Sequence, residues 1–265
     1  MSTRRPLVGY EKHVHVAVLT LDDPPANTYS HEMMLELDAC ILKARFDRDV
    51  HVIVLTAAGS KFFCAGANIG MLERADPTWK YYFCLHANET LARLEQTPKL
   101  VIAAIQGHCV GGGLEVALAC DLRVARRDCG KFGVPEVALG VLPGTGGTQR
   151  LARLVGKSKA IELMATGGNF ALDEAKQLGL VNLVFESEGF TQQVLDYAAS
   201  FCPPHKAAMA VGHIKRAVQS GAEIPLESGL ALERELQARL FASADAREGL
   251  NAYNEKRPPH FSGQP

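Results

Sequence analysis

Several features that mark common protein classes are absent from this chain of 265 residues. No apolar run approaches the roughly 20 residues that a membrane-spanning helix needs, and even Leu100 to Ile105 is followed at once by a polar residue. The seven cysteines are odd in number and form no Cys-x-x-Cys pair. We therefore expect no membrane segment, no disulfide framework and no metal site, and we expect most cysteines to be small buried residues.

The glycine-rich segments lack the spacing of nucleotide-binding loops. Gly111 to Gly113 does not extend to Gly-x-Gly-x-x-Gly, and Gly156-Lys157-Ser158 has Leu151 where a phosphate-binding loop needs its first glycine. Gly-x-Ser-x-Gly and His-Glu-x-x-His are also missing, which excludes the simplest serine hydrolase and metalloprotease hypotheses.

Charge and composition are those of an ordinary globular protein. The net charge is −1, from 28 basic and 29 acidic residues, and no dense basic stripe suggests a nucleic-acid partner. Hydrophobic residues make up 47% of the chain, which is enough for a substantial core. The basic opening lacks a small-residue cleavage site before the strand-like run at Val14, so we expect a mature, cytoplasmic protein.

Strand-like and helical segments alternate along residues 1–200. β-Branched runs at His13 to Leu21, Val50 to Thr56 and Leu100 to Gln106 predict strands, and apolar periodicity predicts helices from Ser30 to Phe46 and from Ala75 to Leu94. This alternation predicts an α/β core domain over residues 1–200.

The last part of the chain has a different character, because no strand-like run follows Phe190. Three segments there have helical patterns: Lys206 to Gln219, Pro225 to Ala242 and Asp245 to Lys256. We predict a separate helical region over residues 201–265. Its leucines at i, i+4 spacing could face the main core or another subunit, and periodicity does not choose between them.

Two glutamates beside glycines are the best clue to chemistry. Glu115 follows Gly111-Gly112-Gly113, and Glu136 follows Pro135. Two carboxylates that meet in space can divide acid and base roles, but the sequence does not show that they meet. Glu136 could equally be a first-turn acid of the next helix.

Backbone N–H groups form the second candidate feature. The strand Leu100 to Gln106 leads through the glycines into a helix predicted from Leu114 to Cys120, whose N-terminus favours negative charge developing on an oxygen. Ala67 follows an earlier strand and offers a second N–H. The three glycines could instead serve only tight helix packing.

Three segments together resemble the crotonase superfamily, the enoyl-CoA hydratase and isomerase group, over about residues 14–261: Phe63 to Ile69, Ile105 to Glu115 and Phe132 to Leu151. The resemblance implies a spiral of stacked ββα turns and a C-terminal helical region that builds a homotrimer, usually paired into a hexamer. It implies no cofactor, because coenzyme A is part of the acyl-CoA substrate.

The resemblance also assigns roles. It places the thioester oxygen between the N–H groups of Ala67 and Gly112, which form an oxyanion hole. Glu115 would orient and deprotonate water, and Glu136 would exchange the proton at the α-carbon. Having both carboxylates favours hydration of a trans-2-enoyl-CoA to a 3-hydroxyacyl-CoA, because isomerases commonly keep only one.

Binding residues for the substrate and its coenzyme A part follow from the same resemblance. They are Pro25, Ala26, Asn27, Ala65, Gly66, Asn68, Ile69, Gly111, Pro135 and Val141. The chain departs from the usual pattern where Gly70 replaces a lysine that often reaches phosphate. Lys256 and Arg257, from this subunit or a neighbour, are therefore the candidate phosphate-binding cations.

Two alternatives stay open. An isomerase would need Glu136 but not water activation by Glu115. A non-catalytic relative would bind RNA or a protein partner. The net charge of −1 counts against RNA. The acyl chain also stays open, because side-chain directions between Met71 and Leu94 cannot be read from one sequence.

Overall fold

The computed structural model of the protein describes residues 5–263. The strands are β1 (Val8–His13), β2 (Val16–Leu21), β3 (Val52–Ala57), β4 (Phe62–Cys64), β5 (Leu100–Ile105), β6 (His108–Val110), β7 (Leu122–Arg126), β8 (Lys131–Gly133), β9 (Phe170–Ala171) and β10 (Leu183–Phe185). The α-helices are α1 (His31–Phe46), α2 (Ile69–Glu73), α3 (Pro77–Gln96), α4 (Gly112–Leu118), α5 (Gly147–Val155), α6 (Lys157–Thr166), α7 (Leu172–Gln177), α8 (Phe190–Ala199), α9 (Ala208–Gly221), α10 (Leu226–Phe241) and α11 (Ala244–Glu255). A 3-10 helix spans Pro135–Leu139.

Two sheets form a spiral. The larger has the order β1-β2-β3-β5-β7-β10 and the smaller has the order β4-β6-β8-β9. Successive turns of the chain place β3, β5 and β7 side by side in the first sheet and β4, β6 and β8 side by side in the second, all in parallel. Helices close the turns, as parallel pairing requires. The predicted spiral of ββα turns is therefore confirmed.

Burial explains the composition of the strands. Every residue of β5 is buried, and five of the six residues of β3 are buried, as expected of parallel strands covered on both faces. Helix α1 covers the sheet with Met33, Met34 and Leu37, and it begins at the predicted N-cap, where the Ser30 hydroxyl accepts a hydrogen bond from Met33 N at 3.2 Å.

Most predicted elements differ from the observed ones by one or two residues at their ends. The run from His13 to Leu21 is not one strand, because a turn at Val14 (φ 52°) separates β1 from β2, which pair antiparallel. The helix predicted from Leu114 to Cys120 begins at Gly112 and ends at Leu118.

Helices α8, α9, α10 and α11 follow the last strand, β10, among residues 5–263. They include the three C-terminal helices expected from periodicity. None of the helices in the described part of the chain is both long and apolar enough to span a bilayer. The division of the chain at residue 200 stays a prediction.

Candidate active site

The three segments singled out in the sequence meet at one edge of the small sheet. Cys64 in β4 is the partner of Cys109 in β6, and Cys109 is the partner of Phe132 in β8. Because the three strands are parallel and adjacent, the residues that follow them emerge at the same edge, although the register of β4 and β6 shifts between Phe62 and Cys64. The N–H candidates after β4 and β6 and Glu136 after β8 are thereby brought together.

The two predicted oxyanion donors are neighbours. Tyr29 forms an isolated parallel bridge to Ala67, with hydrogen bonds from Tyr29 N to Gly66 O (2.9 Å) and from Asn68 N to Tyr29 O (3.0 Å), so the Ala67 N–H takes no part in it. A Cβ atom on Gly66 would lie 3.0 Å from the nitrogen of Gly112. Among residues 5–263, neither the Ala67 N–H nor the Gly112 N–H has a backbone acceptor.

Glu115 lies in the first turn of α4 and is 1% exposed. One carboxylate oxygen, Oε1, accepts hydrogen bonds from the backbone N–H groups of Thr145 (2.8 Å) and Gly147 (2.6 Å). A Cβ atom on Gly147 would lie 2.9 Å from this oxygen, so a glycine is required for the approach. These two hydrogen bonds hold the Glu115 carboxylate through its Oε1 atom.

The pKa of Glu115 is raised to about 7, mainly by burial and to a smaller extent by the nearby Glu136 carboxylate. The hydrogen bonds from Gly147 and Thr145 oppose this change, since they stabilise the ionised form. Glu115 therefore gains and loses its proton near neutral pH, as a general acid or base must.

Glu136 is the second residue of the 3-10 helix and lies over the glycine turn. A Cβ atom on Gly111 (φ 57°) would lie 2.9 Å from Glu136 Oε1, so only glycine leaves room for the carboxylate. Burial raises the pKa of Glu136, while its own backbone N–H and the Lys80 ammonium oppose the rise. The other oxygen, Oε2, is buried and has no hydrogen-bond partner among residues 5–263.

A polar network that the sequence did not reveal supports Glu115. The Tyr29 hydroxyl is hydrogen-bonded to Thr145 Oγ1 (2.7 Å), and Arg150 Nη1 donates to the Thr145 carbonyl (3.1 Å). Arg150 is held in turn by two hydrogen bonds to the Glu95 carboxylate, at 2.7 and 2.6 Å. The segment from Gly144 to Arg150 reads in sequence only as a loop and helix start, with no signal for this support.

The predicted coenzyme A loops lie side by side. Ala65 N donates to the Ala26 carbonyl at 3.1 Å, which joins the segment of Pro25 and Ala26 to the segment after β4. The Asn27 side chain is buried and donates to Ala58 O and Phe62 O, so it holds the loop in place. These contacts support the turn with φ 50° at Asn27.

The remaining predicted binding residues lie at the surface or at helix ends. Asn68 is the N-cap of α2, with Oδ1 accepting from Met71 N at 3.0 Å, and the following Ile69 is 49% exposed. Val141, beyond the 3-10 helix that Pro135 begins, is 53% exposed. Asn68 and Ile69 follow β4, and Pro135 and Val141 follow β8, of the same small sheet.

The C-terminal cations end α11. Lys256 is the C-cap residue in a left-handed conformation (φ 55°) and is exposed. Arg257 forms ion pairs with Glu248 (2.7 Å) and Glu255 (2.6 Å). Their predicted role in phosphate binding stays a prediction.

The two cysteines nearest the site are poor nucleophiles. Cys64 and Cys109 are fully buried, and burial raises the pKa of Cys64 to about 12 and that of Cys109 well above its ordinary value. Because the thiolate is the reactive form, neither cysteine is a candidate nucleophile.

Comparison with known proteins gives consistent matches along the chain. Residues 11–264 match the family model described as Enoyl-CoA hydratase/isomerase. The chain is 38% identical over 253 residues to the putative enoyl-CoA hydratase/isomerase YngF of Bacillus subtilis, covering 95% of this chain and 96% of that protein. It is 38% identical over 248 residues to the short-chain-enoyl-CoA hydratase of Clostridium acetobutylicum, covering 93% of this chain and 94% of that protein.

Solved structures agree. The crystal structure described as an enoyl-CoA hydratase from Geobacillus kaustophilus superposes with a TM-score of 0.95 at 44% identity, covering 99% of this chain and 98% of that one. At that identity the two chains share both the architecture and the family pattern in sequence.

Proposed function

Because the chain belongs to the enoyl-CoA hydratase/isomerase family, we propose that it adds water across the 2,3 double bond of a trans-2-enoyl-CoA. The product is a 3-hydroxyacyl-CoA. The observation that carries the proposal is the pair of glutamates: Glu115 is fixed through one oxygen, and Glu136 has a buried oxygen without a hydrogen-bond partner in the described part of the chain.

The thioester oxygen is held between the N–H groups of Ala67 and Gly112. As water attacks, the electrons of the double bond move towards the carbonyl, and negative charge develops on this oxygen as an enolate. Two preorganised N–H donors stabilise such charge by several kcal/mol, with each donor contributing about 3–4 kcal/mol in comparable sites. No metal or cofactor is needed for this step.

Glu115 activates the water. Its ionised carboxylate takes one proton from the water, whose oxygen forms the new bond at the β-carbon. The N–H groups of Thr145 and Gly147 orient the carboxylate, so that the water it binds is held beside the β-carbon.

Glu136 supplies the second proton. In its protonated form it gives this proton to the α-carbon, and the enolate collapses to the thioester. The pair begins with its proton on Glu136 and ends with it on Glu115, and a return transfer completes the cycle. In the reverse direction the same two groups exchange their acid and base roles.

Hydration of crotonyl-CoA tests the proposal, followed by the loss of the conjugated thioester absorbance and by identification of 3-hydroxybutyryl-CoA. Glu115→Gln and Glu136→Gln should each lower kcat by about a hundredfold or more with little change in binding. Glu174→Gln, an exposed glutamate on α7, is the matched control. If 3-enoyl-CoA is isomerised and Glu115→Gln keeps that activity while no hydration occurs, an isomerase is the correct assignment.

We also propose that the chain assembles into a homotrimer, or a hexamer of two trimers. The C-terminal helices leave large apolar side chains uncovered, including Val218 (66% exposed), Leu226 (76%) and Tyr253 (84%). A surface groove of about 700 Å³ lies between α9 and α5, with Ile214 and Leu154 in its walls. Burial of these surfaces between subunits would be favourable.

A further inference from the structure

Lys80 occupies an apolar position on α3. The buried residues of this helix include Phe83, Ala87 and Leu94, and Lys80 lies three residues before Phe83 and seven before Ala87. At helical spacing these positions share one face. A lysine on the buried stripe of a helix is unusual, because the ammonium group is rarely taken out of water without a partner.

This face of α3 lies against the active site. One turn after Lys80, Cys84 lies beside Gly144, where an added Cβ atom would be 3.3 Å from its sulfur, and one turn further Asn88 donates to the Gly144 carbonyl (3.5 Å). Gly144 begins the loop that fixes the buried glutamate. Lys80 therefore lies one helical turn, about 6 Å, before Cys84 on the same face of α3. From there its charge acts on Glu136.

The ammonium group of Lys80 has no carboxylate partner. Among residues 5–263 no acidic side chain forms an ion pair with it, although the side chain is half-buried. Its contact is the Phe83 ring, whose centroid is 5.3 Å from Nζ. A cation in this setting gains most from an anion that arrives with a ligand.

Three aromatic rings form a stack beside Lys80, in which Phe83 and Tyr29 are buried and Trp79 is exposed. The rings of Trp79 and Phe83 stack at 5.3 Å, and those of Phe83 and Tyr29 stack at 6.0 Å. Tyr29 reaches Thr145, whose N–H holds the catalytic carboxylate. The stacked rings therefore run from the loop that holds Glu115 to Trp79, which is 36% exposed and lies next to Lys80 in the chain.

We propose that Lys80 binds a carboxylate at the far end of the acyl chain, so that the preferred substrates are CoA monothioesters of 2-enedioic acids. The methylene groups between the double bond and the carboxylate contact the exposed Trp79 ring, and the carboxylate pairs with Nζ. This inference rests on the proposed hydratase function and adds a residue that determines its specificity.

The test compares kcat/KM for 2-enedioyl-CoA substrates of five, six and eight carbons with their ω-methyl esters, which have nearly the same shape and no charge. We expect at least one acid to exceed its ester by about 10- to 100-fold, the range of a charge-assisted hydrogen bond. Lys80→Met should bring the ratio close to one, and Lys80→Arg should keep the preference. Lys43→Met is the matched control and should keep the wild-type ratio, because Lys43 lies over the Tyr10 ring at 3.9 Å on α1.

Three results would overturn the inference. They are equal rates for acids and esters, a preference that survives Lys80→Met in a folded variant, and a Lys80→Met variant whose pH profile shifts for every substrate while the ratio stays unchanged. The last would show that Lys80 acts only on Glu136. Failure of the hydratase function itself would look different, since crotonyl-CoA and all other enoyl-CoA substrates would then remain unchanged.

Discussion

Replacing Glu115 by glutamine should make the folded protein more stable at alkaline pH while it removes activity. The pKa of Glu115 is about 7 in the folded chain, against an ordinary value of 4.5. Because the folded-state pKa is raised, the stability contributed by this group is fully present below pH 4.5 and is lost as the pH rises through about 7. Glutamine has the same shape and no such pH dependence.

The expected effect follows from the pKa values. Between pH 5 and pH 8 the free energy of unfolding of Glu115→Gln should rise relative to wild type by about 2 to 3 kcal/mol. Other titrating groups occur in both proteins, and their contributions cancel in the difference, apart from that of Glu136, whose charge acts on Glu115. The side-chain amide oxygen of glutamine can still accept the hydrogen bonds from Thr145 and Gly147.

Urea unfolding at pH 5 and pH 8 measures the difference in the free energy of unfolding between Glu115→Gln and wild type. Both proteins are kept at the same subunit concentration, so that any assembly contributes equally. Glu174→Gln should show no pH-dependent difference from wild type. The reasoning is refuted if Glu115→Gln and wild type differ by the same free energy at both pH values, because Glu115 would then titrate as an ordinary carboxyl.

Four further outcomes are expected. Gly111→Ala should lower kcat by about 10- to 100-fold, because its methyl group would lie 2.9 Å from Glu136 Oε1; full activity would contradict the placement of that carboxylate. Gly112→Pro, if folded, should slow exchange of the substrate α-proton in deuterated water by about 3–4 kcal/mol in the barrier, and normal exchange would remove this N–H from the oxyanion hole. Changing Lys256 and Arg257 together to glutamine should raise KM for CoA esters but not for pantetheine thioesters, whereas equal effects would indicate a structural role. Sedimentation at micromolar concentration should show a trimer or hexamer, and a monomer would contradict the proposed assembly.

The sequence was sufficient to predict the spiral and the segments that form the site. Three motifs, each following a strand, resemble one family, and the register of the small sheet explains why they meet. Local signals also sufficed for α1, where Ser30 caps the helix as predicted. The turn at Val14 was missed because a β-branched residue at φ 52° carries no turn signal.

The contacts of the site needed the structure. Thr145 and Gly147 reach Glu115 from a loop 30 residues further along the chain, and nothing in their composition predicts which carboxylate they hold. The position of Lys80 beside the site also needed the structure. Helical periodicity places it on the same face as Phe83, but only the fold shows that this face lies against the active site.

The proposed oxyanion role of two backbone N–H groups affects what mutational scanning can detect. Ala67 and Gly112 are assigned their role through main-chain atoms, which every amino acid except proline possesses. A deep mutational scan would therefore score Ala67 by how well a new side chain fits the turn, and Gly112 by its closeness to the Tyr29 hydroxyl. If many substitutions at Ala67 are tolerated, that result does not count against the role of its backbone N–H group. Replacing the amide by an ester linkage at these two positions is the substitution that would reach the N–H itself.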